Sequence, residues 1–198
     1  GEEKMSTQPL KVTAVMQDGR LCSSDGWLFL DAILYHAWFA EYFPDIYRGT
    51  LPEGEVGHIG LPLRRNEDQT HAASVGFYKQ YGINTEYWHK KPSAHGWLGE
   101  RYIDFGKRRG KVNVSSGEYK AYRMPEVIRL ISDVTFFAYG NKAKIERLLT
   151  HIKHIGKKSS IGWGRVKEWR VEVIDEDYTN ISPFGLSRPI PINQATPE

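Results

Sequence analysis

Residues 155–166 read Ile-Gly-Lys-Lys-Ser-Ser-Ile-Gly-Trp-Gly-Arg-Val, a short stretch dense in glycine, lysine and serine. Such a segment can bring backbone N–H groups and cationic side chains up against a phosphate chain. The phosphate loops of nucleotide enzymes run from strand to loop to helix N-terminus and use the positive end of the helix dipole. Here the order is reversed, with helical periodicity before the loop and strand alternation after it. A helix that ends at the loop presents the wrong dipole sign for an anion. Attraction must then come from Lys157, Lys158 and Arg165, with whatever N–H nest Gly156, Ser159, Ser160, Gly162, Trp163 and Gly164 allow. That favours an extended polyanion over a mononucleotide. The plainer alternative makes Gly156 a left-handed helix terminator, with two solvated lysines complementing the dipole. Local charge weighs against it: residues 141–170 hold nine Lys/Arg and two Glu, in a chain of net charge +3. The remainder is net acidic, so the basicity is concentrated as in a nucleic-acid footprint.

The elements that must position this loop fit within 198 residues, enough for one large domain or one domain with a sizeable insertion. Six Trp, eleven Tyr and eight Phe exceed what a core of this size needs, and surplus aromatics are what single-stranded RNA binders use for stacking; filling the core is the alternative. A single cysteine, Cys22, excludes an internal disulfide and a cysteine zinc cluster and suits a reducing cytosol, so a cytoplasmic location is expected. No apolar stretch approaches membrane-spanning length, and the start lacks a signal peptide's apolar region. Residues 1–4, ahead of Met5, read as an expression remnant, leaving 5–198 as a single domain. The carboxylates are scattered, residues 175–177 read as a solvated charge run, and neither a metal nor a cofactor is expected.

Residues 10–16 alternate as a first strand and are followed by the turn Gln17-Asp18-Gly19. Residues 30–43 form a helix with Leu30, Ile33, Leu34, Ala37 and Trp38 on its stripe and Pro44 as its stop; His36 lies off the stripe. Residues 44–70 are a long irregular connection with a short strand near 59–63, and residues 72–81 are the next strand. From 82 to 117 aromatic and basic residues alternate, ending in Lys107-Arg108-Arg109-Gly110-Lys111, which reads as hairpins projecting from the core. Such hairpins grip a strand by phosphate contact and stacking, or else cover the core with solvated lysines. Residues 127–139 are one long strand. Asn141 caps a helix whose buried stripe is Ile145, Leu148, Leu149, Ile152 and Ile155, with Lys144, Arg147, His151 and His154 together on one flank. A last strand covers 166–174. The order strand, helix, strand, strand, helix, strand predicts an α+β, ferredoxin-like βαββαβ core: an antiparallel sheet with two helices on one face and the other face free.

Taken together, these blocks resemble the RAMP superfamily of CRISPR-associated proteins, RRM-like folds with a glycine-rich loop between last helix and last strand. Residues 31–34 (Asp-Ala-Ile-Leu), 60–63 (Gly-Leu-Pro-Leu), 140–166 and 188–191 (Arg-Pro-Ile-Pro) narrow the resemblance to the type IV effector subunit that holds the repeat-derived 5′ handle of the guide RNA. The resemblance implies that residues 156–164 contact RNA backbone. It further implies that 82–117, especially Lys107, Arg108, Arg109 and Lys111, forms a thumb against the guide. Implied partners are the crRNA, a backbone subunit that polymerises along it, a large subunit and, in some systems, a helicase. Some relatives cleave precursor guide RNA without metal, and the corresponding regions here hold His36, His89 and His95; a histidine near its ordinary pKa suits acid–base work on a 2′-hydroxyl. His151 and His154, with Arg147 on the same flank, are better explained as RNA-facing groups than as an acid–base pair. Three functions therefore fit the residues: a non-catalytic guide-RNA-binding subunit, a metal-independent endoribonuclease, and a scaffold that binds only protein.

Overall fold

Strict alternation in the first strand, β1 (Gln8–Met16), decides which side becomes core: Leu10, Val12, Ala14 and Met16 are buried and their neighbours are half-exposed. A computed structural model describes residues 6–23, 25–44, 60–90, 115–117 and 120–189. In it β1 is the middle strand of an antiparallel sheet, flanked by β5 (Asp133–Gly140) and β6 (Val166–Val173), with Val12 opposite both Phe136 and Val171. Against the buried face lie two helices that contact each other, α1 (Leu30–Tyr42) through Leu30, Leu34 and Ala37, and α2 (Lys142–Leu149) through Ile145, Leu148 and Leu149. Asn141 caps α2 as expected, its side-chain oxygen accepting the Lys144 N–H at 3.0 Å.

The far edge of β5 is lined by residues 72–77, where Ala73 bridges Ala138, Phe77 bridges Thr135, and the Ser74 N–H donates to the Phe137 carbonyl at 2.8 Å. A second sheet has the order β2 (Arg20–Cys22), β4 (Tyr122–Ile131), β3 (Gln80–Lys90), and a small hairpin pairs β7 (Ile181–Ser182) with β8 (Gly185–Leu186). The protein is thus α+β with few helices and several antiparallel sheets, compatible with a ferredoxin-like fold. The chain forms two compact units, Gly1–Ile83 with Arg129–Glu198, and Asn84–Ile128.

Four expectations change. The strand expected over 127–139 is two strands, broken at Ser132, because Ile131 donates to the Gly19 carbonyl at 2.9 Å while Ser132 accepts from Met16: the run is claimed by two different sheets. Residues 72–79 touch their neighbours by single bridges, and the regular strand begins only at Gln80. The second helix stops at Leu149, where i−3 hydrogen bonds from residues 150, 151 and 152 tighten the last turn and the Thr150 hydroxyl donates to the Arg147 carbonyl at 2.6 Å. Ile152 and Ile155 still face the core, but from an extended segment. Finally, the second face of the main sheet is not left free. Tyr178 and Phe184 pack on Phe137 with ring centroids 5.2 Å and 6.3 Å away, leaving the β6 side of that face to Lys11, Arg170 and Glu172.

Candidate nucleic-acid interface

Because α2 ends early, the glycine loop is not a helix terminus. Residues 152–155 run out from the helix, the chain turns through a single 3-10 turn (Ser159–Ile161), and residues 163–166 return antiparallel. His154 bridges Arg165, the Ile155 N–H donates to the Gly164 carbonyl at 2.9 Å, and the Val166 N–H donates to Lys153 at 2.9 Å. Two glycines let this turn lie directly on β2. Gly156 has φ +81°, and a Cβ there would collide with the Cys22 carbonyl; Gly164 has φ +70°, and a Cβ there would overlap the Ile155 carbonyl. In their place, the Lys157 N–H donates to Cys22 and the Gly164 N–H to Arg20, each at 2.7 Å. Trp163, 4% exposed, is the plug beneath the turn. Its ring is therefore core and not a stacking surface.

The loop's backbone is largely spent on its own structure. The N–H groups of residues 155, 157, 161, 162, 163 and 164 all donate to protein carbonyls, so the nest expected of the glycines contributes little and cationic side chains remain as the anion-attracting groups. Lys157 and Arg165 are exposed, as are Ser159 and Ser160, whereas Lys158 is half-buried at φ 64°. No carboxylate among the described residues pairs with Lys153, Lys157 or Arg165. Three of the other cations in this stretch are neutralised: Lys142 by Glu146 at 3.8 Å, Arg147 by Glu41 at 3.1 Å, and Arg170 by Glu168 at 2.8 Å. The basic excess of the sequence is thus sharpened onto the loop and its stem.

Arg147 and His151 do not join it. Arg147 also donates to the Tyr42 hydroxyl at 2.8 Å, and His151 Nε2 lies 3.6 Å from Glu41 Oε2, so both are held at the end of α1. His154, expected beside them on a helical flank, sits past the end of α2 opposite Arg165.

Within the unit Asn84–Ile128, β3 is exposed along almost its whole length, and Tyr87, Trp88 and Tyr122 are open to solvent. The Arg123 guanidinium stacks over the Tyr87 ring at 3.7 Å, and His89 and Lys90 line the same groove. Lys107, Arg108, Arg109, Lys111 and His95 lie outside the described residues. Of the histidines of the cleavage reading, His36 is exposed on α1 and His89 is exposed on β3.

The sequence reading passed over β2, although the carbonyls of Arg20 and Cys22 fix the loop. Its one signal was the Asp18-Gly19 turn, with Gly19 at φ +72° and Asp18 gripping Arg20 at 2.6 Å. It also passed over the cluster around Arg64, Arg65, Asp68, His71, Asp177 and Arg188, whose members are far apart in sequence. There the Asp177 carboxyl is pushed up by burial, but hydrogen bonds from Thr179 and the Arg64 guanidinium outweigh this and hold it below the usual range. The His71 pKa is also lowered: burial, then the charge of Arg65, outweigh the opposing pull of Asp31. Among the described residues no helix is long and apolar enough to cross a membrane.

An α+β frame of antiparallel sheets with a clamped basic loop is what a type IV CRISPR-associated protein of the RAMP-like kind would present, and comparison with known families agrees. The chain belongs to the Csf3 family: the model of the CRISPR type IV associated protein Csf3 matches residues 8–181. Membership implies a place in a type IV CRISPR complex. No curated protein matches the chain.

Proposed function

We propose that this protein is a non-catalytic crRNA-binding subunit of a cytoplasmic type IV ribonucleoprotein, holding the 5′ handle of the guide and capping the filament of backbone subunits. The observation that carries the reading is the loop over residues 155–165: backbone fixed by its own hydrogen bonds and by β2, with Lys157 and Arg165 outward and unpaired among the described residues. A cradle built in this way meets a sugar-phosphate strand without first having to order itself. The βαββαβ assignment belongs to the same reading, with residues 72–77 as the second core strand, giving the spatial order β6, β1, β5, 72–77. So does the thumb: the exposed aromatics and Arg123 of Asn84–Ile128, continued by Lys107–Lys111, would supply stacking and further phosphate contacts. A backbone filament, a large subunit and a helicase are the protein partners this role would call for.

The test is RNA affinity as a function of salt. The protein should show a steep negative slope, and the double variant K157E/K158E should lower that slope by about 1 per lysine and weaken binding to all sequences alike. A slope that is flat, or unchanged in the variant, overturns the reading. Incubating the wild-type protein with repeat RNA in EDTA addresses catalysis: the RNA is expected to stay intact, and cleavage would favour the endoribonuclease with His36, His89 and His95 as the first residues to replace.

A further inference from the structure

A cleft opens at the foot of the glycine loop, between the end of α2 and β6. It holds about 290 Å³, just under the about 300–1,000 Å³ of clefts that take drug-sized ligands, so it suits one flat ring and its substituents. Its floor is apolar: Leu149, Ile152, Val166 and Val171 line it, and each is buried. Trp169 is the fixed wall. Its indole N–H donates to the Ile152 carbonyl at 3.0 Å and Phe136 backs its ring, with centroids 6.5 Å apart, so the indole meets a ligand without first having to be ordered. β6 is the outer strand of its sheet. Beyond Val166, alternate N–H and C=O groups along it point away from β1 and can hydrogen-bond a polar edge laid in the cleft.

Charge tells a base from a phosphate here. Glu146 and Glu168 line the cleft, which weighs against a phosphate inside it, and each already has a cation, Lys142 at 3.8 Å and Arg170 at 2.8 Å. Lys153 lies in the stem of the loop: its carbonyl accepts the Val166 N–H, and both residues line the cleft. A strand whose phosphates rest on Lys157 and Arg165 therefore passes beside the cleft. Lys153, exposed and matched to no carboxylate among the described residues, can hold a further phosphate at its mouth. An apolar slot with a fixed aromatic wall and an unpaired cation at its lip is how proteins hold single-stranded RNA, with the base inside and the phosphate outside.

We propose that this cleft receives one unpaired nucleobase of the bound RNA, laid against Trp169 while Lys153 holds the adjoining phosphate. The proposal rests on the reading of the glycine loop as an RNA cradle and adds to it a contact that depends on a base. The test removes bases one at a time from the 5′ handle and measures the affinity of the full chain for each abasic RNA, for the wild type and for E146F, in which a phenyl ring takes up the mouth of the cleft. Glu146 is exposed and its surface pair with Lys142 contributes little, so the fold should tolerate the change. Wild-type binding is expected to fall about tenfold at one handle position. E146F should bind the intact RNA with the same loss, be indifferent to the base at that position, and keep the wild-type salt slope. A steep slope with no position costing more than about twofold, or a penalty that persists in E146F, overturns the cleft and leaves the loop standing; a flat slope overturns both. Should the variant not fold, a photoreactive base at the sensitive position decides with the wild-type chain: crosslinks to Trp169 or to residues 149–153 are expected, and crosslinks confined to other surfaces overturn the proposal.

Discussion

Glycines 156, 162 and 164 occupy similar left-handed conformations, but only two of them carry the loop's position. Nothing stands within 4 Å of a Cβ added at Gly162, which has φ +87°, so Gly162→Ala meets backbone strain alone and should cost about 1 kcal/mol. Gly164→Ala meets both strain and the Ile155 carbonyl, and should cost about 2–4 kcal/mol as read from denaturant midpoints. Equal midpoints for the two variants would mean that the turn is not pressed onto its stem as described. RNA binding should fall with G164A well before it falls with G162A, because the first moves the backbone that aims Lys157 and Arg165. The glycines and lysines were legible from the sequence as residues, but the role of Trp163 was not. An indole in a basic loop reads equally as a stacking surface or as a core plug, and only the carbonyls of β2, more than 130 positions away, decide for the plug.

At the scale of elements, His71 offers a check on how the turn 64–68 packs. Its folded pKa is lowered from the ordinary 6.5 by burial and by Arg65, so the unfolded chain binds the extra proton first. The stability this contributes is complete above pH 6.5 and is lost as pH falls below that value toward the folded pKa. Melting temperature should therefore drop on acidification through this window, and His71→Gln should flatten that part of the profile; a variant with the wild-type pH slope would place the imidazole in water. Element existence was largely readable. Period 2 marked β1, β6 and their buried faces, the 3.6 period marked α1, and Asn141 marked where α2 begins. Element ends were less so. Ile152 and Ile155 satisfy the helical stripe at i+7 and i+10, yet two extended residues facing inward produce the same apolar positions, and the Thr150 hydroxyl that closes the helix looks ordinary in sequence. The break at Ser132 was read through for a related reason: the run from 127 to 139 is rich in apolar residues on both sides of Ser132-Asp133, each half packs in its own sheet, and the transfer between sheets needs no glycine or proline.

For the molecule as a whole, the division of labour follows from where charge is left unbalanced. Net charge +3 gives little global attraction for a polyanion, so the pairing pattern matters more than the total. Glu146, Glu41 and Glu168 pair with Lys142, Arg147 and Arg170, while Lys153, Lys157 and Arg165 of the loop and its stem pair with no carboxylate among the described residues, and in the groove lined by Arg64 and Arg188 each of these two arginines is matched to a carboxylate. Composition located the basic stretch, residues 141–170. It had no means of telling an arginine held by a carboxylate more than a hundred residues away from one facing solvent, which is why the groove went unread.

Crosslinking decides whether the turn on β2 cradles a sugar-phosphate strand. A guide RNA carrying a photoreactive nucleotide in its 5′ handle is assembled into the type IV complex, irradiated, and the crosslinked peptide of this subunit sequenced. Crosslinks within residues 153–165 are predicted; crosslinks from the handle that fall only on other surfaces of this chain, or only on other subunits, would contradict the account.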